Sequence, residues 1–131
     1  MRKNRLILNF TGILLIAVCA SCNKGTAVAV DTVDPAKVYT GVIIAKDCPS
    51  YAFVQVSDAN IGDDWTPNTT YKNVIGISNC PDSVSGTISF QVSTSKNYLD
   101  CQIQKACAAI VTYPSYPKKI FCSTNIQIVK K

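Results

Sequence analysis

The sequence predicts an all-β domain: five to six short antiparallel strands closed into a small barrel, with a small β-sandwich as the alternative. Three observations carry this reading. From Val38 onward the chain is rich in β-branched and aromatic residues, in short runs broken by Pro, Gly, Asn and Asp. One run alternates strictly: Ile88, Phe90, Val92 and Thr94 fall on one face, Ser89, Gln91, Ser93 and Ser95 on the other. No segment carries the apolar stripe of an amphipathic helix.

The elements follow in chain order. Residues 38–46 (VYTGVIIAK) read as a first strand and 51–58 (YAFVQVSD) as a second, joined through the turn DCPS (Asp47 to Ser50) into a hairpin. The stretch from Ser57 to Ser85 is rich in turn residues and holds the only Trp, with one short extended piece from Asn73. A connection this long is either functional or poorly ordered. Residues 88–95 are the clearest strand. Residues 101–113 are ambiguous: the alanines allow a helical turn, while Ile110 to Tyr113 favour extension. PSYP (Pro114 to Pro117) is a turn, because two prolines forbid regular structure through it. In the last strand Ile120, Cys122, Thr124, Ile126 and Ile128 share one face.

The chain's start has a different character. MRKNR is followed by LILNFTGILLIAVCA (Leu6 to Ala20), a positive segment and then a short apolar one, as in a secretory signal. A spanning helix needs about 20 apolar residues; this run is shorter and contains Asn9, Thr11 and Gly12. Ala20 and Ser21 precede Cys22, which resembles the lipobox of bacterial lipoproteins, with Cys19 where Leu is usual. The resemblance implies a signal over residues 1–21 and a diacylglycerol on the Cys22 thiol. After cleavage the new amino group can be acylated as well, and two or more chains anchor stably where one does not. Cys19 would leave with the signal, so the apparent C-x-x-C is not a redox pair. Residues 22–36 are small and polar and read as a tether; residues 23–36 reach at most roughly 45 Å. The domain then covers residues 37–131. Asn23, Lys24 and Gly25 lack the acidic residues of surface-exported lipoproteins, which by resemblance favours an anchor facing the periplasm.

Composition excludes more than it assigns. The formal charge of +5 includes Arg2, Lys3 and Arg5, so without them 10 cations face 8 acids, a net of +2. The chain has no His, all its acids are Asp, and both Arg lie before residue 22. Without His there is no Ser-His-Asp or Cys-His mechanism within the chain. Without Arg the usual reader of phosphate and guanine is missing, so no nucleic-acid partner is expected. No enzyme is expected and no cofactor; an Asp- or metal-based hydrolase is the least favoured reading.

Cys48, Cys80, Cys101, Cys107 and Cys122 are an odd number in a context that permits disulfides, so one thiol should be left over. The C-x₂₋₄-C knuckles of a thiolate zinc site are absent, and no metal site is expected. The loop DANIGDDW gathers Asp58, Asn60, Asp63 and Asp64, oxygen ligands of the type that hold Ca²⁺, yet these are also ordinary turn residues and no Glu closes the loop. Trp65 with Tyr71, Tyr98, Tyr113 and Tyr116 offers a stacking platform, against the alternative that Trp65 plugs one end of a barrel. Trp65, Tyr71, Asp63 and Asp64 are the candidate ligand-binding residues.

The order of hairpin, long insertion, strand and final hairpin resembles an OB-fold barrel. Gly41–Ile44 (GVII), Trp65–Thr66 and Pro81–Asp82 are similar to motifs of small Bacteroidetes-type lipoproteins of unknown function. The OB-like order implies that the turn after the first strand and the loop after the third lie at one end. That arrangement pairs Cys48 with Cys101, a hairpin at PSYP pairs Cys107 with Cys122, and Cys80 stays free. The functional expectation is a lipid-anchored, periplasm-facing envelope protein, a non-catalytic binding module for a protein, peptide or glycan. The alternative is a structural or accessory subunit of an envelope assembly. The expected partners are the bilayer, through acylated Cys22, and an envelope protein or glycan.

Overall fold

A computed structural model of the chain describes residues 32–107 and 112–130. The expected signal, Cys22 and the tether up to residue 31 lie outside them. Among the described residues seven strands form: β1 (Val38–Asp47), β2 (Tyr51–Val56), β3 (Asp63–Trp65), β4 (Tyr71–Ile77), β5 (Thr87–Val92), β6 (Ile120–Phe121) and β7 (Ser123–Ile128). They make one sheet in the order β3-β4-β2-β1-β5-β7, and β6 pairs with β4 off this path. The pairings are antiparallel except β4 with β6, which is parallel. The all-β reading stands, with seven strands instead of five or six and one sheet instead of the two of a sandwich. The end strands of the path, β3 and β7, are not paired with each other. Among the described residues no helix is long and apolar enough to cross a membrane.

The first hairpin forms as expected, from Gly41 opposite Val56 to Asp47 opposite Tyr51. A Cβ on Gly41 would stand 2.6 Å from Val54 Cγ1 and 2.7 Å from the Gln55 carbonyl oxygen, so the strands meet this closely only because a Gly is there. A bulge between Ile43 and Ala45 shifts the register. It re-aims the strand, and both Ile44 and Ala45 now pack on the same cluster.

Strand alternation sends β2 into two separate cores. Ala52, Val54 and Val56 join Tyr39, Ile61, Ile75, Ile77, Ile88, Phe90 and Val92 in a mainly aliphatic cluster. Phe53, between them, points to the other face and meets Val74 and Trp65. Burial of each large side chain contributes about 1.5–3 kcal/mol. β4 is likewise buried on both faces, with Val74, Ile75 and Ile77 all inaccessible. This is why the long connection expected over Ser57 to Ser85 contains a central strand: a strand buried on both faces shows no polar alternation. Asn73 anchors the preceding loop. It sits at φ 56°, its amide donates to the Val56 and Ala59 carbonyls at 2.8 and 2.6 Å, and its side-chain oxygen accepts from Gly62 N at 2.7 Å.

Two further expectations are corrected. The last strand does not keep one face, because Asn125, at φ 54°, lies within a register shift against β5 and adds a residue. Cys122, at the break between β6 and β7, and Ser123 are both buried, while Thr124 and Ile128 are exposed. At the other end, Val33 packs on the aliphatic core and the Tyr39 hydroxyl accepts from Asp34 N at 2.7 Å. Composition assigned both residues to the tether, but the domain holds them.

The disulfides join Cys48 to Cys107 and Cys101 to Cys122, and Cys80 is free and buried. The four bonded cysteines are those expected, but the partners are exchanged. The reason is the path of residues 102–107 and 112–119. Among the described residues no hairpin forms around PSYP; residues 112–119 run as an irregular strap past the end of β1, where the Tyr113 hydroxyl donates to the Lys46 carbonyl at 3.1 Å. Cys107 is thereby brought to the β1–β2 turn. Cys101, at the end of a 3₁₀ turn over Tyr98–Cys101, meets Cys122 at the break between β6 and β7.

Candidate functional site

The aromatic face of the sheet opens into a cleft of about 380 Å³. Its floor is Trp65, at the end of β3, with only 2% of its surface exposed. Phe53 meets the indole edge-on at 4.8 Å and Tyr71 stacks beside it at 6.0 Å. The strap supplies Tyr113, 5.5 Å from Trp65 and 5.4 Å from Phe53, and Tyr116, 6.1 Å from Tyr113. Ile44 and Ala45 form one wall through the β1 bulge, and Pro67, Asn68 and Thr69 of the β3–β4 turn form the other.

Two hydrogen bonds fix the rings. Trp65 Nε1 donates to the Ser115 carbonyl at 2.8 Å, and the Tyr113 hydroxyl is held by Lys46. A buried indole or phenol needs such a partner, and here each partner ties the strap to the sheet. The Tyr116 hydroxyl adds a third tie, donating to Asp47 Oδ2 at 2.8 Å, which raises its pKa above the ordinary tyrosine value.

The structure divides the candidates taken from the sequence. Trp65 and Tyr71 line the cleft, but Trp65 is mostly core and offers little surface of its own. Asp63 faces Lys119 at 3.8 Å and Asp64 is paired with Lys72; neither lines the cleft. Asp58 accepts from Thr40 N at 3.0 Å, and among the described residues no cluster of His, Cys, Asp or Glu could hold a metal ion. Of the proposed stacking residues, Tyr113 and Tyr116 join the cluster, whereas Tyr98 lies elsewhere, edge-on to Tyr51 at 6.4 Å. Sequence reading missed Ile44, Ala45 and the turn 67–69. The turn was visible as Pro-Asn-Thr beside the only Trp; the bulge had no signal.

A second hollow, of about 230 Å³, lies between Pro49, Ser50, Cys80, Pro81, Ile103 and Lys105. Burial raises the Cys80 thiol pKa, and its Sγ donates to the Pro81 carbonyl at 3.7 Å. A protonated, buried thiol is a poor nucleophile. Lys46 Nζ donates to the carbonyls of Pro81 and Asp82, and Lys105 pairs with the Asp82 carboxylate, lowering its pKa. These cations hold the loop and leave the hollow no free charge to offer a ligand.

Compared with known protein families, with curated proteins and with solved structures, the chain matches none.

Proposed function

We propose that the chain is a lipid-anchored envelope protein, facing the periplasm, whose domain binds a ligand at the aromatic cleft without transforming it. The observation that carries the binding role is the cleft itself: convergent rings, walls from three separate segments, and no carboxylate, amine or thiol in its lining. Proton transfer needs a positioned acid or base, and the cleft is lined by aliphatic, aromatic, amide and hydroxyl groups alone. The anchor rests on the start of the sequence, where the apolar run ends in Ala20, Ser21 and Cys22, and on the resemblance to Bacteroidetes-type lipoproteins. The domain is read as an OB-like barrel. In support, β6 and β7 are separated only by Cys122, one runs beside β4 and the other beside β5, and the path from β4 through β2, β1 and β5 therefore returns towards β4.

Two measurements test this function. Metabolic labelling with a fatty acid should mark the wild-type chain and not Cys22→Ser; a labelled variant overturns the anchor. For the cleft, equilibrium binding of envelope glycans and peptides should be weakened by Tyr71→Ala with little change in thermal midpoint. Mass spectrometry of the recovered ligand should find it intact, and accumulation of a cleaved product overturns the non-catalytic reading.

A further inference from the structure

We infer that the cleft takes a neutral sugar ring, a pyranose of an uncharged glycan. This rests on the reading of the cleft as a binding site given above. The lining supplies aromatic surface and neutral hydrogen-bonding groups and nothing ionised. A pyranose presents one face of polarised C–H bonds and an edge of hydroxyls. The negative face of an aromatic ring attracts the first, and amides and hydroxyls bind the second.

The division of labour among the polar groups fits this ligand. Trp65 Nε1 and the Tyr113 hydroxyl are already committed to backbone carbonyls, so the rings are fixed before a ligand arrives. The side chains of Asn68 and Thr69 and the Tyr71 hydroxyl make no hydrogen bond among the described residues, and all three line the cleft. They sit together at the β3–β4 turn, beside the half-buried Tyr71 ring. An anionic sugar or a charged peptide would lose water from its charge and find no counter-ion in this lining. An extended peptide also presents a row of backbone groups that a strand edge satisfies, whereas the three free groups here cluster at one turn. The volume lies near the low end of small-molecule sites, which run roughly 300–1,000 Å³, so one or two rings fill it.

The test uses the single Trp as reporter, because it forms the cleft floor. The processed chain is titrated with neutral trisaccharides of glucose, mannose, galactose and N-acetylglucosamine up to about 10 mM, a range that covers millimolar affinities. At least one should change Trp65 fluorescence saturably. Tyr71→Ala should weaken that binding about tenfold, the upper end for loss of one stacked ring, while Tyr71→Phe, which keeps the ring, should weaken it less. If Tyr71→Ala does not fold, Asn68→Ala, on the exposed turn, should weaken the same titration. Parallel titrations use a uronic-acid trisaccharide and a set of charged and neutral peptides. Binding confined to those ligands overturns the sugar inference and leaves the cleft a binding site; no response to any ligand overturns both.

Discussion

The aliphatic and aromatic faces of the sheet are buried by different means. The aliphatic cluster draws Tyr39, Val54, Ile75, Ile88 and Phe90 from strands that are neighbours in the sheet, each delivered by simple alternation. On the aromatic face, among the described residues, Phe53, Trp65 and Val74 are buried, and the cover is the strap of residues 112–119, irregular up to Lys119. The strap is held by the Cys48–Cys107 disulfide ahead of it and by hydrogen bonds to Lys46, Asp47 and Trp65. A segment without regular structure can thus cover a sheet face when crosslinks and polar ties replace the ladder it lacks. The cleft lies on the face covered this way.

If the aliphatic face carries the fold, its fully buried phenylalanine should be among the most costly side chains to lose. Phe90 is fully buried and packs against Tyr39 at 5.9 Å. Phe90→Ala should cost about 3–5 kcal/mol, a large share of the ~5–15 kcal/mol that holds a domain together. Far-UV circular dichroism and Trp65 fluorescence should then report one transition at a much lower urea midpoint. Survival of the native Trp65 signal after the sheet has melted would show that the two faces fold independently.

The same contrast explains what could be read from the sequence. β1, β2 and β5 were legible because each shows a short β-rich run bounded by turn residues, and β5 alternates. β4 was not, because Val74, Ile75 and Ile77 are buried on opposite faces and its hydrogen-bonding partners, β2, β3 and β6, lie both before and after it in sequence. The bonded cysteines could be selected by context, but their pairing depended on where residues 102–107 and 112–119 run, and a strap held by side chains has no periodicity to read.

Cutting the ties of one face should sharpen the distinction. The Cys48–Cys107 bond closes a separation of 59 residues and Cys101–Cys122 one of 21, so loop entropy assigns them about 4 and about 3 kcal/mol, within the usual ~2–4 kcal/mol or near it. Replacing Cys48 and Cys107 by Ala should release the strap first: Trp65 fluorescence should shift at lower urea than the dichroism of the sheet. Replacing Cys101 and Cys122 should leave the two signals together, because Cys122 lies between β6 and β7. Coincident transitions in the first variant would mean that the strap is part of one cooperative core.

Of the site, Trp65 and Tyr71 were legible as aromatics in a turn-rich loop, but their roles were not. Trp65 is core because Phe53 and Tyr113 come from distant parts of the chain to enclose it. Asp63 and Asp64 looked like ligands because they are adjacent in sequence. In a strand, adjacent residues point to opposite faces, and each acid meets its own lysine.

The smallest effect tests whether the strap is held by polar ties or by packing alone. The Tyr116 phenol donates to the Asp47 carboxylate, and that bond, followed by partial burial, raises its pKa above 10.0. A proton held more tightly in the folded than in the unfolded chain stabilises fully below the unfolded pKa of about 10, and the gain is lost as pH rises through the folded value. Tyr116 is 45% exposed, so screening reduces the tie to on the order of 0.5 kcal/mol. Urea midpoints should therefore separate wild type from Tyr116→Phe at pH ~8 and converge as pH passes ~10. Tyr51, raised mainly by burial, weakens both proteins over the same range and cancels in the comparison. A gap that stays constant with pH would assign the role of Tyr116 to its ring, edge-on to Phe53 at 5.7 Å, and would leave the strap's polar ties to other groups, among them Trp65, Tyr113 and Ser115.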